Sequence, residues 1–214
     1  NKLCGEIFTD FKLKHSEKLL VLCDSLLKNI RMDIDDIDYF AVSVGPGSFT
    51  GLRIGLATAK GFALAKNKPI VCVSSLETLA YNALYFGGLI CPMFDAQRNQ
   101  LYSCIYTIDK NTLKSHIGED VYEFEAIFDI LNNDKRDVLL LGDGAGKFYN
   151  KYKNSFNKHI AAANMNTLMP KASNAAYIAL EKIRNGEVTD HFSAMPNYIR
   201  SAQAEENLCK RQNK

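Results

Sequence analysis

The chain opens with near-alternation of apolar and polar positions at Leu3, Gly5 and Ile7, and this spacing predicts one or two strands over 1–13. The period then changes. Leu19, Leu22, Cys23, Leu26, Leu27 and Ile30 recur at i, i+3, i+4 and i+7, which places a helix after His15, with Ser16 as its N-cap and Glu17 in its first turn. Leu20 widens the apolar stripe to roughly 160° at about 100° per residue, and Val21 lies outside it. A helix that covers a single sheet face needs less, so a second buried contact is expected. Residues 39–44 (YFAVSV) form a continuous apolar run, the pattern of a strand buried on both faces. That run leads into a glycine-rich turn, GPGSFTG at 45–51, and a long helix to about Lys66. A strand at 70–76 and a short helix at 77–85 follow, and Gly87 with Gly88 breaks the pattern as a candidate hinge.

After the hinge the order nearly repeats. Strands are predicted at 89–96, 100–108 and 112–124, a helix at 125–131, and a strand, glycine-rich turn and helix over 138–148. A helix near 174–184 and a short strand at 197–200 complete the reading, with a polar, frayed end. Two successive β-β-β-α-β-α units predict a duplicated, two-lobed α/β protein with mixed sheets flanked by helices, divided at 1–87 and 88–214. The layout resembles the actin-like fold. On that comparison Asn1 stands at the second strand of the first lobe, so the opening strand of that lobe is expected to be missing here.

Composition narrows the class without naming a partner. The 214 residues are 47% hydrophobic and 23% charged, which permits a real core and excludes a disordered chain. A net charge of +2 is no nucleic-acid footprint, because phosphate binding needs clustered Lys and Arg. No apolar run reaches the ~20 residues that span a bilayer, and no signal peptide is visible, so the expected location is the cytoplasm. Cys4, Cys23, Cys72, Cys91, Cys104 and Cys209 contain no C-x-x-C pair and are read as reduced, core-type thiols.

The most informative stretch is VGPGSFTGLRIGLATAKG at 44–61. Gly45 and Gly47 permit backbone angles that a side chain forbids, Pro46 stiffens the turn between them, and Ser48 or Thr50 can cap the next helix. Thr50 stands where a dinucleotide G-x-G-x-x-G needs glycine. The helix beyond holds Gly51, Gly55, Ala57, Ala59, Gly61, Ala63 and Ala65. Mid-helix glycine costs up to ~1 kcal/mol against alanine, so these glycines require a reason. Close approach of another helix supplies one, since Gly51, Gly55, Thr58, Ala59 and Phe62 share one side. That helix is either the one at 15–29 or part of another protein.

This stretch, with Arg53 inside it, resembles the signature of the TsaB (YeaZ) family. Other blocks agree in order: His15-Ser16-Glu17; Val73-Ser74-Ser75-Leu76; and Phe94 to Tyr102, a D-A-R-x-x-E-V-Y-like element with Gln97 before Arg98 and Gln100 replacing the usual Glu. The last is Pro196-x-Tyr198-Ile199-Arg200 with Ala204-Glu205 behind it. The resemblance implies an accessory subunit without a catalytic group. It would pair with TsaD, be joined by TsaE, and serve formation of N6-threonylcarbamoyladenosine 3′ of the anticodon in ANN-decoding tRNAs. It implies docking through the first two helices, on Leu19, Leu20, Cys23, Leu27, Gly51, Ile54, Gly55, Thr58, Ala59 and Phe62, either to TsaD or to a second copy. No cofactor is expected, ATP being bound by the partners, and tRNA contact is at most indirect.

Rival sites are weaker. GDGAGK at 142–147 fails as a phosphate loop, with Leu141 at the first glycine and Phe148 at the Ser/Thr position. It does resemble the adenosine-side turn of actin-like ATPases, so Gly142, Gly144 and Gly146 stand as a weak nucleotide site, and an ATP-dependent small-molecule kinase is the alternative function. His15, His116, His159 and His191 make no H-x-x-x-H metal pair. Asp95 and Arg98 are placed to pair locally. Lys147, Lys151, Lys153 and Lys158 among aromatics form a modest RNA candidate or a solvated face.

Overall fold

The computed structural model describes residues 2–9, 15–110, 112–164 and 167–199, apart from the side chains of 15–17. Two sheets organise it. The first pairs β1 (Phe40–Gly45) with β2 (Ile70–Ser74) in parallel, Phe40 opposite Ile70 and Ser43 opposite Val73. The crossover between them is α2 (Phe49–Lys66), with α1 (His15–Asn29) packed on it. The second sheet has five strands in the order β5-β4-β3-β6-β7: β3 (Leu89–Asp95), β4 (Gln100–Asp109), β5 (Thr112–Glu123), β6 (Val138–Leu141) and β7 (Ile160–Ala162). β3, β4 and β5 form an antiparallel meander, and β6 and β7 run parallel to β3.

Helices cover the second sheet on both faces. α4 (Phe124–Asn133) and α5 (Ala145–Tyr152) bury Phe124, Ile127, Leu131, Ala145 and Phe148 against Leu89, Cys91, Met93 and Leu140. α3 (Ser75–Ala80) brings Leu76, Leu79 and Ala80 to the other face, against Ile90, Cys104 and Leu141. Residues 138–141 are buried at every position, as an all-apolar run with a helix layer on each side requires.

Several expectations are corrected. Residues 2–9 form no strand: Leu3 and Ile7 are exposed and only Gly5 is half-buried, close to Leu26 of α1 and Ile30 just beyond it, while 1 and 10–13 lie outside the described residues. α1 already runs from His15, so Ser16 sits inside its first turn and not at its cap. Residues 197–199 are not a strand, although Asn197 donates its N–H to the Val44 carbonyl at 2.8 Å; Arg200, Ala204, Glu205 and Cys209 lie outside the described residues. β7 was not predicted. Gly88 is no loose hinge: a Cβ there would stand 2.2 Å from the Asp137 carbonyl oxygen, beside the bond from Leu89 N–H to that same oxygen.

The boundary at 87/88 marks the passage from the first sheet to the second, but the chain returns. α6 (Ala172–Arg184) packs Ile178 and Ala179 on Val71 and Val73 of β2, and Thr189 bridges to Ile70. Elements that follow the second sheet in the chain thus also pack on the first.

Candidate functional site

The signature turn is built by the end of β1 and the start of α2. Gly45 has φ +118°, a region that favours glycine, and a Cβ there would stand 3.0 Å from the Asn197 carbonyl oxygen and 3.1 Å from Leu52. The Gly45–Pro46 peptide is cis. Gly47 faces open space. Ser48 is the N-cap, its Oγ accepting from Gly51 N–H at 3.4 Å, while exposed Thr50 lies in the first turn. At the other end Asn67 adopts the left-handed conformation and donates its N–H to the Ala63 carbonyl, closing the helix.

Arg53 links this turn to the far end of the chain. Its guanidinium lies 3.9 Å above the Phe49 ring, its Nε donates to the Tyr198 hydroxyl at 3.0 Å, and Phe49 and Tyr198 stack at 5.1 Å. Two sequence blocks separated by 145 residues thus form one cluster.

The docking residues divide. Ala59 is buried with Leu56 and Ala63 against Val42, Ile70 and Ala194, so it belongs to the chain's own core and is not available as a contact residue. Phe62 is half-buried and stacks on Phe40 at 5.6 Å. Leu19, Cys23, Leu27, Gly51, Ile54, Gly55 and Thr58 are half-buried, and Leu20 is exposed. Among the described side chains of α1 none is fully buried, and Val21 is exposed beside Leu20. The open side of α2 carries Thr50, Arg53, Ala57, Gly61, Leu64 and Ala65. An added Cβ at Gly51 would meet Ser48 at 3.5 Å, at Gly55 it would meet Val42 at 3.8 Å, and at Gly61 nothing within 4 Å. Alanine therefore fits at all three positions, and packing inside the chain demands none of these glycines. Gly61 is the residue that helical spacing alone had left out of the surface.

The glycines of the second turn are explained differently. Gly142 has φ +95°, and a Cβ would lie 2.2 Å from the Met93 carbonyl oxygen; at Gly144 it would lie 2.6 Å from Leu101. Gly144 N–H donates to the Met93 carbonyl at 3.1 Å, and Asp143 Oδ1 accepts from Asp95 N–H at 3.0 Å. These two glycines allow the turn to lie against the end of β3, which removes the need for a phosphate to account for them; Gly146 has open space. Lys147 donates to Asp95, and this bond holds the Asp95 carboxyl below its usual pKa. Between β3 and β4, Gln97, Arg98 and Asn99 all have positive φ, a strained turn that side-chain spacing does not reveal.

At the junction of the lobes, Ser74 caps α3, accepting from Leu76 and Glu77 N–H at 3.1 and 3.2 Å and donating to Glu119 of β5. Tyr106 donates to the same carboxylate at 3.2 Å. Burial raises the Glu77 carboxyl pKa, with Lys182 opposing it. Burial pushes the Cys91 thiol up to about 12 and Cys104 well above its usual value, so both are held as neutral thiols, whereas Cys4 is exposed and Cys23 and Cys72 are half-buried. Among the described residues no group of three or more His, Cys, Asp or Glu is placed to hold a metal, and no helix is long and apolar enough to cross a membrane.

Comparison with known proteins bears on the family and the fold. The model of the TsaD family, tRNA N6-adenosine threonylcarbamoyltransferase, matches residues 9–208. The tRNA threonylcarbamoyladenosine biosynthesis protein TsaB of Bacillus subtilis (strain 168) is 33% identical over 201 residues, 94% of this chain and 86% of that protein. A tRNA N6-adenosine threonylcarbamoyltransferase of Kosmotoga olearia is 44% identical over 80 residues, 37% of this chain and 24% of its own length. The solved structure of YeaZ from Pseudomonas aeruginosa superposes with a TM-score of 0.72 at 24% identity, covering 87% of this chain and 85% of that one. The two sheets flanked by helices thus fit the actin-like fold.

Proposed function

The chain belongs to the TsaB family of tRNA threonylcarbamoyladenosine biosynthesis proteins, and on that premise we propose that it is the non-catalytic scaffold of the modifying complex, docking TsaD through α1 and α2. TsaE joins through the TsaB–TsaD pair, and ATP and tRNA are handled by the partners. In the absence of TsaD the same helices pair two copies of this chain. The setting is the cytoplasm.

What carries the reading is the trio Gly51, Gly55 and Gly61. Each weakens the helix by up to ~1 kcal/mol relative to alanine, and none is required by the chain's own packing. A partner helix approaching closely supplies the missing reason, since small residues let two backbones come together. The apolar residues left uncovered beside it, Leu20 and Val21 on α1 and Leu64 on α2, supply area that such a partner buries.

The test is Gly61→Leu. Leucine improves helix propensity, a Cβ at Gly61 meets nothing within 4 Å and the position is exposed, so the melting temperature is expected to hold or rise slightly. Co-purification with TsaD from the same organism is expected to be lost. A Gly61→Leu chain that retains TsaD at wild-type strength rejects the docking face. Ala59 is unsuitable for this purpose because a larger side chain there disturbs the core.

A further inference from the structure

After α6 the chain passes Thr189 and runs back along α2 toward the start of that helix. The strap 190–198 is tightly held. Asp190 Oδ1 accepts from the N–H groups of Phe192 and Ser193 at 2.9 and 2.7 Å, and the Ala194 N–H donates to the Asp190 carbonyl at 3.1 Å, closing a turn. Ala194 is buried among Leu56, Ala59 and Ala63. Lys60 Nζ donates to the Phe192 carbonyl at 3.4 Å, Asn197 N–H to the Val44 carbonyl at 2.8 Å, and Arg53 Nε to the Tyr198 hydroxyl at 3.0 Å. The backbone is thus pinned at both ends and in the middle.

Its large apolar side chains are not covered. Phe192, Met195 and Tyr198 are 78%, 66% and 41% exposed, at a regular spacing of three. The Phe192 ring is backed by His191, with centroids 4.2 Å apart, and Tyr198 by Phe49. The two cations between strap and helix, Arg53 and Lys60, each give a donor to the strap. Beyond them lies the open side of α2, with Ala57, Gly61 and Leu64. The row on the strap and the small-residue face of the helix thus lie on either side of Arg53 and Lys60, whose charges are engaged by the strap and by Phe49.

We propose that Phe192, Met195 and Tyr198 are a third element of the docking surface, covered by the same TsaD molecule that covers α1 and α2; this rests on the reading above. Aromatic side chains on a fixed backbone lose little freedom on association, which suits Phe192 and Tyr198 as anchors, and the flexible thioether of Met195 adapts to the shape of the partner between them. The strap widens a two-helix contact into a surface with a helical wall and an extended one. It also gives the C-terminal block of the chain a place at the interface.

The test titrates TsaD from the same organism into four chains: wild type, the double variant Phe192→Ser with Met195→Ser, Gly61→Leu, and Tyr85→Ser as an exposed aromatic away from the strap. The double variant is expected to bind at least tenfold more weakly at an unchanged melting temperature, with Tyr85→Ser at wild-type strength; Met195→Ser alone serves if the double variant folds poorly. Double-variant binding within twofold of wild type, while Gly61→Leu loses binding, overturns the strap and leaves the two-helix surface standing. A wild-type chain that binds no TsaD overturns both. A double variant that loses self-association but keeps TsaD assigns the strap to a second copy, and the proposal fails.

Discussion

In the second sheet β3 has a hydrogen-bonded neighbour on each side, and α4 and α5 bury Phe124, Ile127, Leu131 and Phe148 on one face while α3 covers the other. In the first lobe two strands carry α2, and α1 lies on α2 with no described side chain fully buried. Two groups of glycines differ in the same sense, although Gly45 in the first lobe is held by close contacts and Gly146 in α5 has open space. In the second lobe Gly142 and Gly144 stand where a Cβ would strike backbone or core, whereas in α2 Gly51, Gly55 and Gly61 stand where an alanine fits. The packing of the second lobe explains its turn glycines, whereas the packing of the first leaves those of α2 unexplained, and that difference is the ground for the proposed docking face.

The largest expected effect tests the self-sufficient half. Phe148→Ala removes a fully buried ring from a cluster with Phe124, Tyr152 and Phe156. A loss of ~3–5 kcal/mol is expected, seen as a melting temperature lower by roughly 10 °C. Leu20→Ala on exposed α1 is expected to stay within ~0.5 kcal/mol and to matter only for pairing. Similar losses at both positions would erase the contrast between the lobes.

A smaller effect is expected at the turn that closes the second lobe. The Asp95 carboxyl is held below its usual value of 3.8, first by the hydrogen bond from Lys147. A depressed folded-state pKa adds stability above the unfolded-state value and loses it as pH falls through the folded-state value. Lys147→Met should therefore lower the melting temperature by only ~1–2 °C at pH 7, as for an exposed ion pair, and the gap between variant and wild type should close as pH is lowered below about 3.8. A gap that persists at low pH would assign Lys147 a packing role instead.

Much of this was legible in the sequence, for reasons that can be traced. The runs LICPMF and VLLL are buried strands because strands covered on both faces admit few polar residues, whereas YFAVSV yields a strand, β1, in which only Val42 of the run is buried and Ala41 is exposed, so burial on both faces is not met there. The order of elements after Gly88 identified the second sheet. Alternation at Leu3, Gly5 and Ile7 misled because it marks no buried face: Leu3 and Ile7 are exposed, and only Gly5 comes close to Leu26 and Ile30. Ala59 was grouped with Gly55 and Phe62 by helical spacing, yet it equally shares a side with Leu56 and Ala63, and the core claimed it. Glycine-rich turns at 45 and 142 look alike in sequence, since spacing does not tell whether a glycine admits a ligand, a neighbouring strand or a distant carbonyl. The Arg53–Tyr198 cluster and the return of α6 to the first sheet are long-range events that no local pattern encodes.

Amide hydrogen exchange of the chain with and without TsaD from the same organism addresses the central claim most directly. Protection is expected to rise along α1, α2 and residues 192–198 on adding TsaD, while β3, β4 and β6 remain unchanged. New protection confined to the second sheet, or none anywhere in the first lobe, would contradict the account.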